Sequence, residues 1–319
     1  MNEIRKTDLT IVIPVYNSQQ TIGKLVAEMK DELEDKYEYN FVLVNDGSID
    51  DSYDICKKMA LADKKIKFLN LYRNFGQINA ILAGFYEADG DIIIVMDDDL
   101  QNPPREVHKL IAAIKNGYDF VYGSPRKIKQ NIWRKFGSYL SVKMAEIAFK
   151  KPKGLYPSSY YGVRKNVVQE VIKYDGPFPY CSGLILRVTR NGLNVPVEHY
   201  KREYGQSGYN FKRLFLLWLG GITNFSILPL RISLYTGFIV GFSGFLFLFI
   251  ILIQKLIKPV YYVMGWPSVI AVILLFSGVQ LFVLGMLGEY IGRIFMSINK
   301  TPQFVIKEKY NCSNDQQNF

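Results

Sequence analysis

Carboxylate side chains follow two short apolar runs in the first hundred residues. Asp46 comes directly after the run FVLVN, and Asp97, Asp98 and Asp99 come directly after the run DIIIVM. Carboxylates gathered in one place repel one another unless a cation or hydrogen-bond donors lie among them. A divalent ion commonly takes one or two such carboxylates and completes its shell with water and phosphate oxygens. These residues therefore predict a site for a metal-bound phosphate compound, although an Asp-x-Asp sequence alone is a weak signal.

The apolar runs around these residues predict strands, because they are short, rich in β-branched residues and separated by stretches with helical patterning. The predicted strands are residues 9–14, 41–45, 66–71 and 91–96, and the predicted helices are residues 21–33, 51–62 and 77–88. This alternation indicates an α/β fold with a mainly parallel sheet and helices on both faces. Ligands of such sheets bind beyond the carboxyl ends of the strands, so the polar residues after each strand are expected to meet at one edge.

Two long segments in the last third of the chain carry no charge. Residues 232–253 and 268–288 contain no Asp, Glu, Lys or Arg, and each is long enough to cross about 30 Å of hydrocarbon. Neither segment has a polar face, which argues against two buried helices of a soluble domain. Lys and Arg residues precede the first segment and follow the second, whereas the connector holds only Lys255 and Lys258. The positive-inside rule therefore places both termini in the cytoplasm.

The predicted organisation has six parts. Residues 1–209 form a cytoplasmic α/β domain, and residues 210–231, which are basic and aromatic, form a juxtamembrane helix at the membrane interface. The other parts are membrane helices at 232–253 and 268–291, an extracytoplasmic connector at 254–267 and a cytoplasmic tail at 292–319. The chain is therefore expected in the plasma membrane as a multi-pass protein.

The totals restrict the chemistry less than the motifs do. The formal net charge is +10, which suits nucleic acid, anionic lipid or phosphorylated substrates alike. The three cysteines, Cys56, Cys181 and Cys312, are far apart and form no CxxC pair. That spacing argues against a zinc site or a disulfide framework and is typical of a reducing compartment.

Taken together, the motifs resemble glycosyltransferase family 2 with the GT-A fold, in particular the dolichyl-phosphate mannose synthases and the bacterial undecaprenyl-phosphate sugar transferases. The resemblance spans residues 10–303 and lacks the Gln-x-x-Arg-Trp motif of processive polysaccharide synthases. It is carried by IPVYN at 13–17, NDGSID at 45–50, RNFGQ at 73–77, MDDDLQNPP at 96–104, REYGQSGY at 202–209, LPLR at 228–231 and LGEYIGRI at 287–294.

The resemblance implies a metal-dependent, inverting glycosyltransferase. A Rossmann-like GT-A domain would take a sugar from a nucleotide-sugar donor with Mg²⁺ or Mn²⁺ as cofactor, and a two-helix transmembrane hairpin would follow it. The acceptor would be polyprenyl (undecaprenyl) phosphate at the cytoplasmic membrane face, and the product would serve the modification of cell-envelope glycans. The implied partners are the donor, the lipid and the bilayer, with no nucleic acid, and a homo-oligomer is left open.

Carried over residue by residue, the resemblance also implies roles for individual side chains. Asp97 and Asp99 would hold the ribose and the metal ion, with Asp99 the stronger metal candidate. Gln101 would lie beside the diphosphate or the donor sugar, and Arg202 would clamp the diphosphate through paired donors. The other donor-site candidates are Pro14, Tyr16 and Asp46 at the base and ribose, together with Asn17, Arg126, Ser207 and Lys212.

Three features depart from the family pattern. Ser158 or Ser159 stands where an acidic residue is common and Tyr161 where an Arg follows it, Gly208 replaces a usual lysine, and Asn45 replaces the first Asp of an Asp-Asp pair. Because a phosphate monoester is already mostly an anion at neutral pH, the acceptor is expected to attack without a protein base, and both serine hydroxyls are expected to be dispensable. Two alternatives stay open: a membrane-tethered transferase with a non-lipid acceptor, and a catalytically inactive subunit that binds the nucleotide sugar.

Overall fold

The computed structural model divides the chain into two compact units. The first comprises Met1–Phe211 together with Lys300–Phe319, and the second comprises Lys212–Asn299. The structure describes residues 8–125, 152, 154–176, 179–200, 266–299 and 301–312, together with scattered positions between 230 and 253.

The first unit is an α/β domain around an eight-stranded sheet. In chain order its elements are β1 (Asp8–Val15), α1 (Ile22–Leu33), β2 (Glu38–Asn45), α2 (Ser52–Ala62), β3 (Ile66–Leu71), α3 (Gln77–Tyr86), β4 (Ile92–Val95), a 3-10 turn (Pro104–Glu106), α4 (Val107–Lys115), β5 (Phe120–Pro125), β6 (Tyr161–Arg164), α5 (Lys165–Val171), α6 (Cys181–Val188), β7 (Gly192–Val197) and β8 (Ile306–Tyr310). The strand order is β7-β5-β6-β4-β1-β2-β3-β8. Strands β1 to β4 are parallel, β5 is parallel to β7, β6 is antiparallel to β4 and β5, and β8 is antiparallel to β3. The predicted α/β fold with a mostly parallel sheet is confirmed.

The first four strands form where the sequence predicts them because both of their faces are covered. The β-branched and aliphatic side chains of β1 are fully buried, as are those of β4 apart from a few per cent. Helix α1 buries Ile22, Leu25, Val26 and Met29, which recur at helical spacing along one face. Helix α3 packs so closely on the sheet that a Cβ at Gly84 would collide with the side chain of Val12.

The last strand of the sheet comes from the end of the chain. Strand β8 pairs with β3 from Phe68 opposite Tyr310 to Leu71 opposite Ile306. Lys309 forms an ion pair of 2.7 Å with the buried carboxylate of Glu87. Residues that follow the apolar helices are therefore part of the sheet domain.

The second unit contains the apolar helix α7 (Trp266–Ile298). Its portion Phe276–Ile298 has a mean hydropathy of 1.5 with none of it buried, and within the described residues it is the one helix long and apolar enough to cross a membrane. The predicted first span, 232–253, is described only at scattered positions, and each of these positions is helical. The predicted connector at 254–267 and juxtamembrane helix at 210–231 lie almost wholly outside them.

Candidate functional site

Three neighbouring parallel strands end at the same edge of the sheet, as the sequence predicts. Strand β1 lies between β2 and β4 and runs parallel to both, with Val15 opposite Asn45 and Val12 opposite Val95. Their carboxyl ends therefore open on the same side of the sheet. Three groups of predicted site residues follow at this edge: Tyr16 and Asn17 after β1, Asp46 after β2, and Asp97, Asp99 and Gln101 after β4. Pro14, also predicted, is buried within β1.

Asp98 ties the end of β4 to the end of β1. Its Oδ2 accepts hydrogen bonds from Tyr16 N at 3.0 Å and from Ser18 Oγ. The pKa of Asp98 is raised to about 6, mainly by burial and in addition by the nearby charges of Asp97 and Asp99, and the two hydrogen bonds oppose the rise. Three successive carboxylates thus create a strongly negative spot at the strand edge, as a cation-binding site requires.

Asp97 is bound through both of its oxygens. Gln77 Nε2 donates to Oδ1 at 2.5 Å, and Ser159 Oγ donates to Oδ2 at 2.5 Å. Gln77 is the first residue of α3, and Ser159 lies two residues before β6. A helix start and a neighbouring strand therefore converge on this carboxylate.

Asp99 and Gln101 belong to a tight turn after β4. The main-chain N–H of Gln101 donates to Asp99 Oδ1 at 3.1 Å, and Leu100 between them has a φ of 58°. The main-chain carbonyl of Gln101 accepts from Tyr200 N at 2.8 Å. These contacts fix the turn that presents Asp99 at the edge.

Asp46 holds the loop that leads into α3. It is 2% exposed, and its two oxygens accept from Phe75 N at 2.7 Å and Gly76 N at 2.9 Å. Burial raises the pKa of Asp46, while these two hydrogen bonds oppose the rise. The neighbouring Gly47 has a φ of +67°, and a Cβ there would lie 2.5 Å from Asn74 N. The β2 end and the loop after β3 are thus packed backbone against backbone.

Asn17 links the β1 end to the β2 end. Its main-chain N–H donates to Ser48 Oγ at 3.0 Å, and its Oδ1 accepts from Ile49 N at 2.9 Å. The residue has a φ of 54°, in the left-handed region that asparagine tolerates. This arrangement leaves the adjacent Tyr16 47% exposed at the edge.

Several predicted site residues are not placed by the structure. Arg126, Arg202, Ser207 and Lys212 lie outside the described residues. Tyr161, which stands where the family has an Arg, is buried in β6 and cannot supply a charge there.

The protein side chains at this edge could bind a metal ion only together with a bound ligand that supplies further oxygen atoms. Within the described residues, no group of three or more His, Cys, Asp or Glu side chains is arranged to hold a metal ion. Asp97 and Asp99 are two hard oxygen donors at an open strand edge, in the negative field of Asp98. That set suits a hard cation whose other ligands are phosphate oxygens and water.

Two functional candidates were missed from the sequence. Gln77 lies in the RNFGQ motif without an assigned role, and Ser159 is interpreted only as a lost acid. The signal for Gln77 was available, because a polar residue at a helix start beyond a parallel strand faces the ligand edge. No local signal predicts that Ser159 reaches Asp97, because that contact depends on the pairing of β6 with β4.

The chain matches the family model for glycosyl transferase family 2 over residues 10–172. The undecaprenyl-phosphate 4-deoxy-4-formamido-L-arabinose transferase of Proteus mirabilis is 33% identical over 304 residues, which cover 94% of this chain and 93% of that protein. The uncharacterized glycosyltransferase YkcC of Bacillus subtilis is 32% identical over 318 residues, which cover 97% of this chain and 96% of that protein. A crystal structure of glucosyl-3-phosphoglycerate synthase from Mycobacterium tuberculosis with Mn²⁺ and UDP-glucose has a TM-score of 0.49 and 18% identity, covering 68% of this chain and 77% of that one.

Proposed function

Since the chain belongs to glycosyltransferase family 2 and is a glycosyltransferase, we propose that it transfers a sugar from a nucleotide-sugar donor to undecaprenyl phosphate or a related polyprenyl phosphate. The observation that carries this proposal is the similarity to an undecaprenyl-phosphate transferase over 94% of the chain. The match leaves out only 6% of the chain, which is shorter than the apolar helix α7 (Trp266–Ile298), so it must include residues of that helix. Transfer to a lipid needs both a donor site and a membrane anchor, and the chain offers a candidate for each.

At the donor site, the strand-end residues would divide the nucleotide sugar among them. Tyr16 would stack on the base with its exposed ring. Asp97 and Asp99 would hold the ribose and the metal-bound diphosphate, with Gln101 beside the sugar. Asp46 would shape the pocket wall through the main chain that it holds. Mg²⁺ or Mn²⁺ bound at this edge would neutralise charge on the leaving diphosphate.

The transfer would invert the anomeric carbon. An oxygen of the acceptor phosphate forms the new bond to that carbon while the bond to the nucleoside diphosphate breaks, and the electron pair leaves with the diphosphate. A phosphate monoester has a second pKa of about 6, so the acceptor needs no protein base at neutral pH. The protein must therefore position the acceptor phosphate and the donor diphosphate, and it must offset the negative charge that develops on the leaving diphosphate. Arg202 is proposed for that task from the sequence alone, with support from Arg126, Ser207 and Lys212.

Connectivity supports a two-helix hairpin with the sheet domain in the cytoplasm. The segments before and after the second unit fold together as one unit, so the chain has to return to the side of the membrane from which it left. An even number of crossings satisfies this condition, and α7 would supply one of them. Residues 232–253 would supply the other, since Ser233 Oγ donates to Met286 Sδ of α7 at 3.3 Å. The cationic flanks favour the cytoplasm for the shared side.

The proposal is tested by incubating the purified full-length protein with undecaprenyl phosphate, Mn²⁺ and a panel of sugar nucleotides, followed by mass spectrometry of the extracted lipid. The expected result is a lipid heavier than the acceptor by one sugar residue, formed from one or a few donors. Asp99→Asn is the matched negative control because it removes the charge and keeps the size. Transfer only to a water-soluble acceptor, or nucleotide-sugar binding without any turnover, would overturn the proposal in favour of the two alternatives.

A further inference from the structure

The carboxylate of Asp97 is held at both oxygens by uncharged side chains. Gln77 Nε2 donates to Oδ1 and Ser159 Oγ donates to Oδ2, each at 2.5 Å. Hydrogen bonds weaken steeply as their angles depart from linearity, so the carboxylate cannot rotate freely without losing these contacts. The orientation of Asp97 is therefore set by its neighbours.

Gln77 is fixed by the loop that precedes it. Asp46 accepts hydrogen bonds from Phe75 N and Gly76 N, so the two residues directly before α3 are fastened to the end of β2. A buried carboxylate that binds two main-chain N–H groups is a strong anchor, because charge-assisted hydrogen bonds are about twice as strong as neutral ones. The start of α3, and with it the Gln77 side chain, is thereby held against the end of β4.

Ser159 is fixed by strand pairing. Tyr161, two residues later, pairs with Val95 in β4. The segment with Ser159 therefore enters β6 alongside the strand that ends in Asp97. The two hydrogen-bond donors reach Asp97 from different elements, one to each oxygen, and together they restrict rotation of the carboxylate.

We propose that Gln77 and Ser159 are positioning residues that orient Asp97 toward the metal-bound diphosphate of the donor, an inference that rests on the proposed function. Both side chains are neutral, so they orient the carboxylate of Asp97 and do not themselves neutralise its negative charge. A lysine or arginine in either place would compete with that cation. Groups that hold a metal-binding carboxylate from behind change metal affinity when they are removed. Ser159, which the sequence led us to expect to be dispensable, is thereby assigned a role in donor binding.

The test uses the full-length variants Gln77→Met and Ser159→Ala, each of which removes one donor, and Ser159→Thr, which restores a hydroxyl. Ser158→Ala is the matched control, because the Ser158 hydroxyl is in the same loop and accepts from Tyr160 N. Binding of Mn²⁺ is measured by electron paramagnetic resonance, with Mn²⁺ alone and with UDP or GDP, and needs no turnover. The Mn²⁺ concentration for half-maximal transfer is measured in parallel.

Gln77→Met and Ser159→Ala are expected to weaken Mn²⁺ binding in the presence of the nucleotide by about tenfold and to raise the half-activating Mn²⁺ concentration to match. Ser159→Thr should recover most of the loss, and Ser158→Ala should equal the wild type. The double variant should lose less than the product of the single losses, because both donors act on one carboxylate. Wild-type Mn²⁺ affinity in both single variants overturns the inference, even if lipid product forms. Weakened Mn²⁺ binding in an enzyme that makes no lipid product overturns the proposed acceptor and keeps the inference.

Discussion

Replacing Gly47 by alanine would put a methyl group into the main chain of the loop before α3. The added Cβ would lie 2.5 Å from Asn74 N, 2.6 Å from the carbonyl carbon of Arg73 and 3.0 Å from Arg73 Cα. All three neighbours are backbone atoms, so no side-chain rotation can make room. The glycine also has a φ of +67°, which an L-residue adopts only at a cost. Either the β2 end or the loop after β3 has to move.

The free-energy cost follows from these two terms. A left-handed backbone costs a non-glycine residue about 1–2 kcal/mol. Forcing a methyl group into a packed site costs about 1–3 kcal/mol. The sum is about 2–5 kcal/mol, and each kcal/mol lowers the melting temperature of a domain of this size by about 2–4 °C. We therefore expect the melting temperature of Gly47→Ala to fall by about 10 °C.

Gly117→Ala separates the cost of the backbone conformation from the cost of the steric collision. Gly117 has a φ of +104° and no atom within 4 Å of its Cβ position, so alanine there meets the backbone cost without the collision. Its melting temperature should fall by only about 5 °C. Unfolding of the detergent-solubilised protein is followed with a fluorogenic maleimide, which reports Cys56 and Cys181 because both are buried. Cys312 is changed to serine in every variant to remove its signal.

The activity of Gly47→Ala should fall further than its stability accounts for. Movement of the loop would shift Phe75 N and Gly76 N from Asp46 and Gln77 from Asp97. A displacement of about 1 Å in a positioning group can lower the rate by about 100-fold, so we expect kcat at a permissive temperature to drop at least about tenfold. Equal melting temperatures and equal kcat in the Gly47 and Gly117 variants would refute the role given to this backbone contact.

Three further outcomes follow from the structure. Chelation should abolish lipid glycosylation and Mn²⁺ should restore it, whereas Asp99→Asn should stay about 100-fold low in kcat at any Mn²⁺ concentration. In intact cells, an impermeant maleimide should label a cysteine introduced in the connector 254–267 and should not label Cys312. Lys309→Met would leave the buried carboxylate of Glu87 without the cation at 2.7 Å. The free energy of unfolding, followed by thiol reactivity, should therefore fall by about 1–3 kcal/mol.

Controls for these three measurements come from the same elements. Asp54→Asn removes an exposed carboxylate on α2 and should keep wild-type kcat, and Lys307→Met removes an exposed lysine of β8 and should keep the wild-type melting temperature. Full transfer in excess chelator would contradict the metal assignment. Labelling of the tail but not of the connector would reverse the topology. A Lys309 variant as stable as the Lys307 variant would show that the ion pair does not hold β8.

The sequence predicts those elements of the fold, such as β1 to β4, whose residues show a clear apolar pattern over a short window. The runs that became β1 to β4 are apolar on both faces because helices cover both sides of the sheet, and that pattern is visible within six residues. Strand β8 (IKEKY) carries three charges in five residues, and it exists because β3 offers an edge to pair with. Its strand character is set by tertiary context, which a short window of sequence does not contain.

The site divides in the same way. That Asp46, Asp97 and Asp99 would lie on one edge follows from parallel topology alone, since Asp46 directly follows β2 and the other two come within four residues of the end of β4. Which groups they bind depends on where a helix starts and how strands are paired, so the contacts of Asp97 with Gln77 and Ser159 had to come from the structure. The expectation that the Ser159 hydroxyl is dispensable was argued from acids and bases alone, and it did not consider the hydroxyl as a hydrogen-bond donor to Asp97.

The segment from Tyr72 to Gln77 links the residues that follow α7 to the proposed donor site. Tyr72 N donates to the carbonyl of Val305 at 3.0 Å, one residue before β8 begins. Five residues later the same segment ends at Gln77, which binds Asp97, and Asp46 fastens its middle. A segment held at both ends and in the middle has little freedom to shift at one point alone. Strand β8, which follows α7, is therefore part of the support of Asp97, so loosening β8 should disturb the proposed donor site as well as stability.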